Sequence, residues 1–198
     1  MRCIIEVIIS LTILLISVSS CSYKKDNTYQ DGLRSCREKV AQYQIKHPNT
    51  PALSAREDII GYKIPELNTQ TINGQKIDQK YFKGKFGIIN FWFEGCPPCV
   101  KEIPDLNEMA DKFGNDNLYY LAIGRDTKED ILLFLQDHPW KFDQIVNGTE
   151  VLDGIFENIW GYPTTLIVDR NGVIVYAVGG IYEKNKPEVF GMIESLIN

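Results

Sequence analysis

The sequence predicts an α/β protein: a central mixed β-sheet flanked by helices, with an N-terminal β-hairpin. Three observations carry this. Two continuous apolar runs, Phe86–Phe93 and Leu118–Ile123, are each followed by a segment of helical period, the βα-βα alternation of strands buried on both faces. Two further strand-like runs, Thr164–Val168 and Val173–Val178, flank Asp169-Arg170-Asn171-Gly172, a turn signal that makes them an antiparallel pair. Asn73-Gly74 separates Ile64–Thr71 from Gln75–Ile77, the two-residue signature of a hairpin.

The first residues stand apart from this pattern. Arg2 supplies a minimal basic start, with Glu6 close behind, and Val7–Val18 is apolar apart from Ser and Thr. Its 12 residues fall short of the roughly 20 that a membrane span needs. Val18-Ser19-Ser20-Cys21 then resembles a bacterial lipobox. On that reading residues 1–20 are a lipoprotein-type signal peptide and Cys21 is the lipidated mature N-terminus, which holds the protein on a membrane. Residues 22–59 read as a tether plus a short helix. Ser22–Gly32 is polar; Leu33, Cys36, Val40 and Tyr43 then recur at helical spacing, and His47-Pro48 ends the stripe. Pro48–Asp58 looks like a linker, and residues 60–198 form the compact domain.

Within that domain Pro97 suits a first helical position, and Val100, Ile103, Leu106, Ala110 and Phe113 share one face of the helix it opens. Pro104 should kink it, because it removes a backbone donor and crowds the carbonyl of Val100. Thr127-Lys128-Glu129-Asp130 resembles a capping box opening a second helix through Ile131, Leu132 and Leu135. Phe142–Val146 is a candidate short strand and Glu150–Asn158 a candidate short helix. A last helix, about 187–197, buries Val189, Ile193 and Leu196.

The chemistry sits where the first buried strand meets the first helix: Trp92-Phe93-Glu94-Gly95-Cys96-Pro97-Pro98-Cys99. The spacing lets the two thiols close into a disulfide and reopen. Cys96 falls at a helix start, where unpaired N–H groups and the helix dipole favour the thiolate, the form that attacks disulfides. The segment thus reads as a thiol–disulfide oxidoreductase motif.

Lys83 to Pro104 resembles the active-site region of thioredoxin-fold proteins, specifically the TlpA/ResA-like branch. Gly161-Tyr162-Pro163-Thr164-Thr165, followed by Asp169–Gly172, resembles that branch's cis-proline loop and hairpin. The resemblance covers about 60–198 and implies a thioredoxin-like fold. It implies that Cys96 is the exposed nucleophile, forming a mixed disulfide, and that the more buried Cys99 resolves it. It implies a cis bond at Pro163, with Tyr162 beside it pairing substrate backbone, and it puts Trp92 near the substrate surface or, equally, in plain core under the motif. Glu102, one helical turn after Cys99, would be an active-site acid that raises the thiol pKa values and shuttles a proton; otherwise it is a solvated glutamate. Two positions depart from the pattern. Thioredoxins themselves carry a buried acid in the strand before the motif, where this chain has Asn90, and Gly95 stands where Trp often precedes the first Cys.

Composition closes off other classes. At 198 residues, 44% hydrophobic and 24% charged, the chain is an ordinary globular protein, and its net charge of −5 argues against nucleic acid as partner. The expected partners are protein disulfide or thiol substrates, a membrane electron-donor thiol protein, and the membrane itself through the N-terminal lipid, at the periplasm or cell exterior. No cofactor and no metal is expected: one Cys-x-x-Cys lacks a second ligand pair, and His47 and His138 both precede prolines far from it. A peroxiredoxin-like antioxidant enzyme would need a Pro-x-x-x-Thr/Ser-x-x-Cys pattern that the residues before Cys96 do not supply. A thioredoxin-fold binding or chaperone module would not need the pair. Of the other cysteines, Cys3 leaves with the signal. Cys36 reads as a buried small hydrophobe, with an intermolecular disulfide or a third redox thiol as the alternative. The resemblance favours reduction of protein disulfides, as in cytochrome c maturation or repair of mispaired cysteines, but leaves the direction of electron flow open.

Overall fold

The computed structural model describes residues 28–50, 55–157 and 160–198. The expected signal peptide and Cys21 lie outside the described residues. No helix among those described is long and apolar enough to cross a membrane.

Five strands form the central sheet in the order β5-β4-β3-β6-β7. β3 (Phe86–Trp92) and β4 (Leu118–Gly124) sit at its centre in parallel, Phe86 opposite Leu118 through Trp92 opposite Gly124. β5 (Asp143–Gln144) extends the parallel side, while β6 (Thr164–Val168) runs antiparallel to β3, and β7 (Ile174–Val178) antiparallel to β6. Every residue of β3, β4 and β6 is buried, ends included, as strands coated on both faces require. The β6–β7 turn closes as the sequence predicts: Asp169 Oδ1 accepts from the Asn171 and Val173 amides, both at 2.8 Å, and Gly172 supplies φ +78°. The N-terminal hairpin is present but short, β1 (Thr69–Gln70) pairing β2 (Lys76–Ile77). Past Gln70 the chain leaves its partner strand for the sheet edge, where the Ile72 amide donates to Gln144 O at 2.8 Å.

Strand alternation sorts the core into two layers. Ile89 and Phe91 of β3 and Leu121 and Ile123 of β4 face one way, with Phe156, Ile59 and, from α1 (Tyr29–Lys46), Tyr29, Leu33 and Cys36. Ile88 and Trp92 face the other way, with Ile103, Leu106 and Met109 of α3 (Pro97–Phe113) and Val189, Phe190 and Ile193 of α6 (Lys186–Ile197). Two features of the N-terminal segment differ from expectation. The helix begins at Tyr29 rather than Leu33, because Thr28 caps it by accepting from the Asp31 amide. The expected linker contains a 3₁₀ turn, Arg56–Ile59, whose Ile59 is fully buried. Cys36 is fully buried and its thiol donates to Ala55 O at 3.1 Å; burial pushes its pKa up. That is the environment of a small core hydrophobe rather than a reactive thiol.

Other elements refine the reading. A short helix, α2 (Gln79–Phe82), follows the hairpin, capped by Asp78. α4 (Lys128–Asp137) is capped by Thr127, which accepts from the Asp130 amide. α3 continues past Pro104 to Phe113. His47 and His138 are the C-terminal caps of α1 and α4. The expected 150–158 helix starts earlier, as α5 (Gly148–Glu150), and continues in π-helical form over Val151–Phe156. Its start is pressed against the end of β4: a Cβ on Gly148 would lie 1.8 Å from Gly124 O. Backbone cannot swing aside as a side chain can. Gly148→Ala is therefore expected to destabilise the protein by on the order of 3 kcal/mol, read as a lower urea midpoint at unchanged slope. A midpoint equal to the parent's would mean that α5 can back away freely.

Candidate active site

β3 delivers the chain to the C-terminal edge of the sheet, and α3 starts after four intervening residues, Phe93 to Cys96. Cys96 is the N-cap of α3, and its Sγ accepts from the Cys99 amide at 3.3 Å. Pro97 and Pro98 have no N–H, so Cys99 carries the first amide of the helix available to that sulfur. Cys96 and Cys99 are joined by a disulfide, their Cα atoms 5.3 Å apart. When the bond is reduced, the same cap and the helix dipole favour charge on Cys96. The expected contrast in exposure is small in this closed form: Cys96 is 3% accessible and Cys99 1%. Bonding to Cys99 draws the Cys96 sulfur inward, and it is the flanking Glu94, Gly95, Pro97 and Pro98 that are exposed.

The loop before β6 packs beside this turn. The Tyr162-Pro163 bond is cis. Pro163 is buried and Tyr162 half-buried, its ring edge-on to Phe93 with centroids 5.2 Å apart. Arg125, just past β4, donates to the Tyr162 hydroxyl at 3.5 Å and pairs with Asp153 at 2.9 Å. Sequence reasoning passed over Arg125, which carries no local signal; only the meeting of the β4 end with the cis-proline loop reveals it. Of the two places the resemblance left open for Trp92, the structure takes the core and not the substrate surface: it is fully buried, its ring centroid 5.0 Å from that of Phe134 and 4.9 Å from that of Trp140. The last residue of a strand covered on both faces points into the α3 layer, so Trp92 supports the motif from beneath.

Glu102 lies in the buried stripe of α3 and has no solvent exposure, so it is not a solvated glutamate. Its Oε1 accepts from Asn90 Nδ2 at 2.7 Å and its Oε2 from the Ile181 amide at 2.6 Å. Burial pushes its pKa from about 4.5 up to about 7, with the two hydrogen bonds pulling the other way and the nearby Asp105 adding to the rise. A carboxyl poised near neutrality one turn from Cys99 is suited to taking and returning a proton. Ile181 could not have been foreseen, because it acts through a backbone amide. Among the described residues, no group of three His, Cys, Asp or Glu converges as a metal site.

A dithiol that caps a helix at the edge of a mixed sheet, with a cis-proline loop packed beside it, defines a thiol–disulfide oxidoreductase of thioredoxin-like fold. The chain belongs to the AhpC/TSA family, whose profile matches residues 60–177. It is similar to the thiol-disulfide oxidoreductase ResA of Bacillus cereus (strain ZK / E33L), 29% identical over 139 residues that span 69% of this chain and 78% of that one. It is also similar to the thiol:disulfide interchange protein DsbE of Vibrio cholerae serotype O1, 29% identical over 136 residues, 66% of this chain and 71% of that one. A DsbE-type crystal structure from Chlorobium tepidum superposes with a TM-score of 0.63 at 22% identity, over 70% of this chain and 98% of that one, and supports the fold. A solution structure of a thiol:disulfide interchange protein from Bacteroides sp. gives 0.59 at 25% identity, over 70% and 90%.

Proposed function

We propose that this oxidoreductase is an extracytoplasmic protein-disulfide reductase, held on a membrane by lipid on Cys21. The observation that carries the reading is the Cys96–Cys99 pair capping α3 with the buried carboxyl of Glu102 one turn behind it. In the reduced protein the Cys96 thiolate attacks a substrate disulfide. One substrate sulfur leaves as a thiolate and takes a proton, and the other is joined to Cys96. Cys99 gives up its proton and attacks the Cys96 sulfur, releasing the second substrate thiol and closing the Cys96–Cys99 disulfide. Two electrons pass to the substrate. Glu102 is the acceptor for the Cys99 proton. Tyr162 and Pro163 form the surface along which substrate backbone lies, with Trp92 beneath it. A membrane thiol protein then returns the electrons, and c-type cytochrome precursors or mispaired cysteines are fitting substrates for such a reductant.

The direction of electron flow is tested by the reduction potential of the pair, read by equilibrating the purified protein in graded thiol buffers, trapping free thiols and weighing the products. A reductant is expected near the roughly −270 mV of thioredoxin. A value near roughly −120 mV would make the protein an oxidant that introduces disulfides.

A further inference from the structure

We propose that Asn90 is a positioning residue whose buried amide takes one orientation toward ionised Glu102 and the reverse toward neutral Glu102, and so sets the pH at which that carboxyl can serve the cysteine pair. Asn90 lies in the middle of β3, fully buried, on the face that also bears Ile88 and Trp92. Its Nδ2 donates to Glu102 Oε1 at 2.7 Å and to Thr165 Oγ1 at 2.9 Å. Its Oδ1 is buried and meets no partner among the described residues. An orphaned buried carbonyl is costly and calls for a reason.

The arrangement around Glu102 supplies one. Both carboxyl oxygens face N–H donors, Asn90 Nδ2 and the Ile181 amide. Such a cage suits a carboxylate. A neutral carboxyl has an O–H that must point at an acceptor, and neither donor can be one. The two ends of an amide have nearly the same shape, and half a turn about its bond exchanges them. Reversed, Oδ1 of Asn90 faces Glu102 and accepts the acid's O–H. Thr165, whose hydroxyl accepts in the present arrangement, can turn its own O–H to the same oxygen. Each orientation leaves one end of the amide without a partner, which is why neither is locked in. The Ile181 amide has no such freedom, so Asn90 is the partner that can change roles.

The charged and titratable groups around Glu102 leave this role to Asn90. On α3 they are Cys99 one turn before and Asp105 one turn after, the latter paired with Lys186 of α6 at 2.8 Å. From the loop after β7 comes Tyr182, whose own pKa is raised by burial and by Glu102 and lowered by Arg56. β3 and β6 present only the uncharged Asn90 and Thr165.

The test is a pair of NMR titrations on the purified oxidised protein: the Asn90 side-chain amide and the Glu102 carboxyl carbon. Both are expected to move with one midpoint. Asn90→Leu removes a donor that favours the charged form, so the Glu102 midpoint should rise by ~1 pH unit or more. Asn90→Asp keeps the shape but not the donor, and should split the titration into two coupled steps; it carries the test if the leucine variant does not fold. An Asn90 amide that stays flat through the Glu102 midpoint, or a Glu102 midpoint unmoved in both variants, overturns the proposal. The proposal rests on reading Glu102 as the acid of the pair. If turnover is indifferent to Glu102 while the two titrations stay locked, that reading fails and the coupling stands; Glu102-dependent turnover with a flat amide is the reverse.

Discussion

Cys96→Ser is expected to lower disulfide-exchange turnover by at least ~10³-fold, the scale on which removal of a nucleophile acts. A serine hydroxyl at the cap of α3 keeps the geometry but is not ionised near neutral pH, and the sulfur–sulfur exchange loses its attacking atom. Cys99→Ser should fail differently. Its first half-reaction survives, so a mixed disulfide through Cys96 accumulates and is visible as added mass that reductant removes. The two variants together assign the order of attack. If Cys99→Ser retained turnover, or if the adduct formed on Cys99 in Cys96→Ser, the roles would be exchanged. A binding module would keep its partner affinity in Cys96→Ser, with no exchange activity in the parent to lose. Cys36 is not expected to substitute for either thiol, since it is fully buried on the opposite face of the sheet.

Glu102→Gln is expected to remove a pH dependence of stability worth about 3 kcal/mol from the oxidised protein. The folded carboxyl has a pKa near 7 and an ordinary one titrates near 4.5, so between these values the native state binds more protons than the unfolded chain. Stability that Glu102 contributes is fully present below about pH 4.5 and is lost as pH rises through about 7. Glutamine cannot ionise, so its urea-unfolding profile should lack that descent, whatever constant offset the new amide brings. Parallel profiles for parent and variant across this window would mean that the folded carboxyl titrates like a solvated one. In the reduced protein the same substitution should flatten the inflection near pH 7 in the rate of exchange, because the acceptor for the Cys99 proton is gone.

Much of this was legible in the chain because it is local. A Cys-x-x-Cys spacing, a helix-opening proline, a Thr cap and an Asp-to-Gly turn each act over a few residues, and buried strands declare themselves by unbroken apolar runs. β3, α3, β4, α4, β6 and β7 accordingly fall within a residue or two of expectation. The helix start at Tyr29 and the π-helical stretch after Gly148 were missed. In those places a weak local pattern is decided by what it packs against: Tyr29 sits edge-on to Phe156 and Trp160, which are distant in sequence.

The sequence by itself determined the dithiol, the strand–helix joint that presents it and the thioredoxin-like order of elements around it. Only the tertiary structure decided that Glu102 is a buried acid rather than a solvated one, that Trp92 is a support rather than a contact surface, and that Arg125 meets Tyr162. The hydrogen bonds that hold Glu102 and Asn90 span 12, 75 and 79 residues of chain. A side chain's proton affinity depends on how much water and which donors surround it, and those are known only when β3, α3, β6 and the loop after β7 have come together.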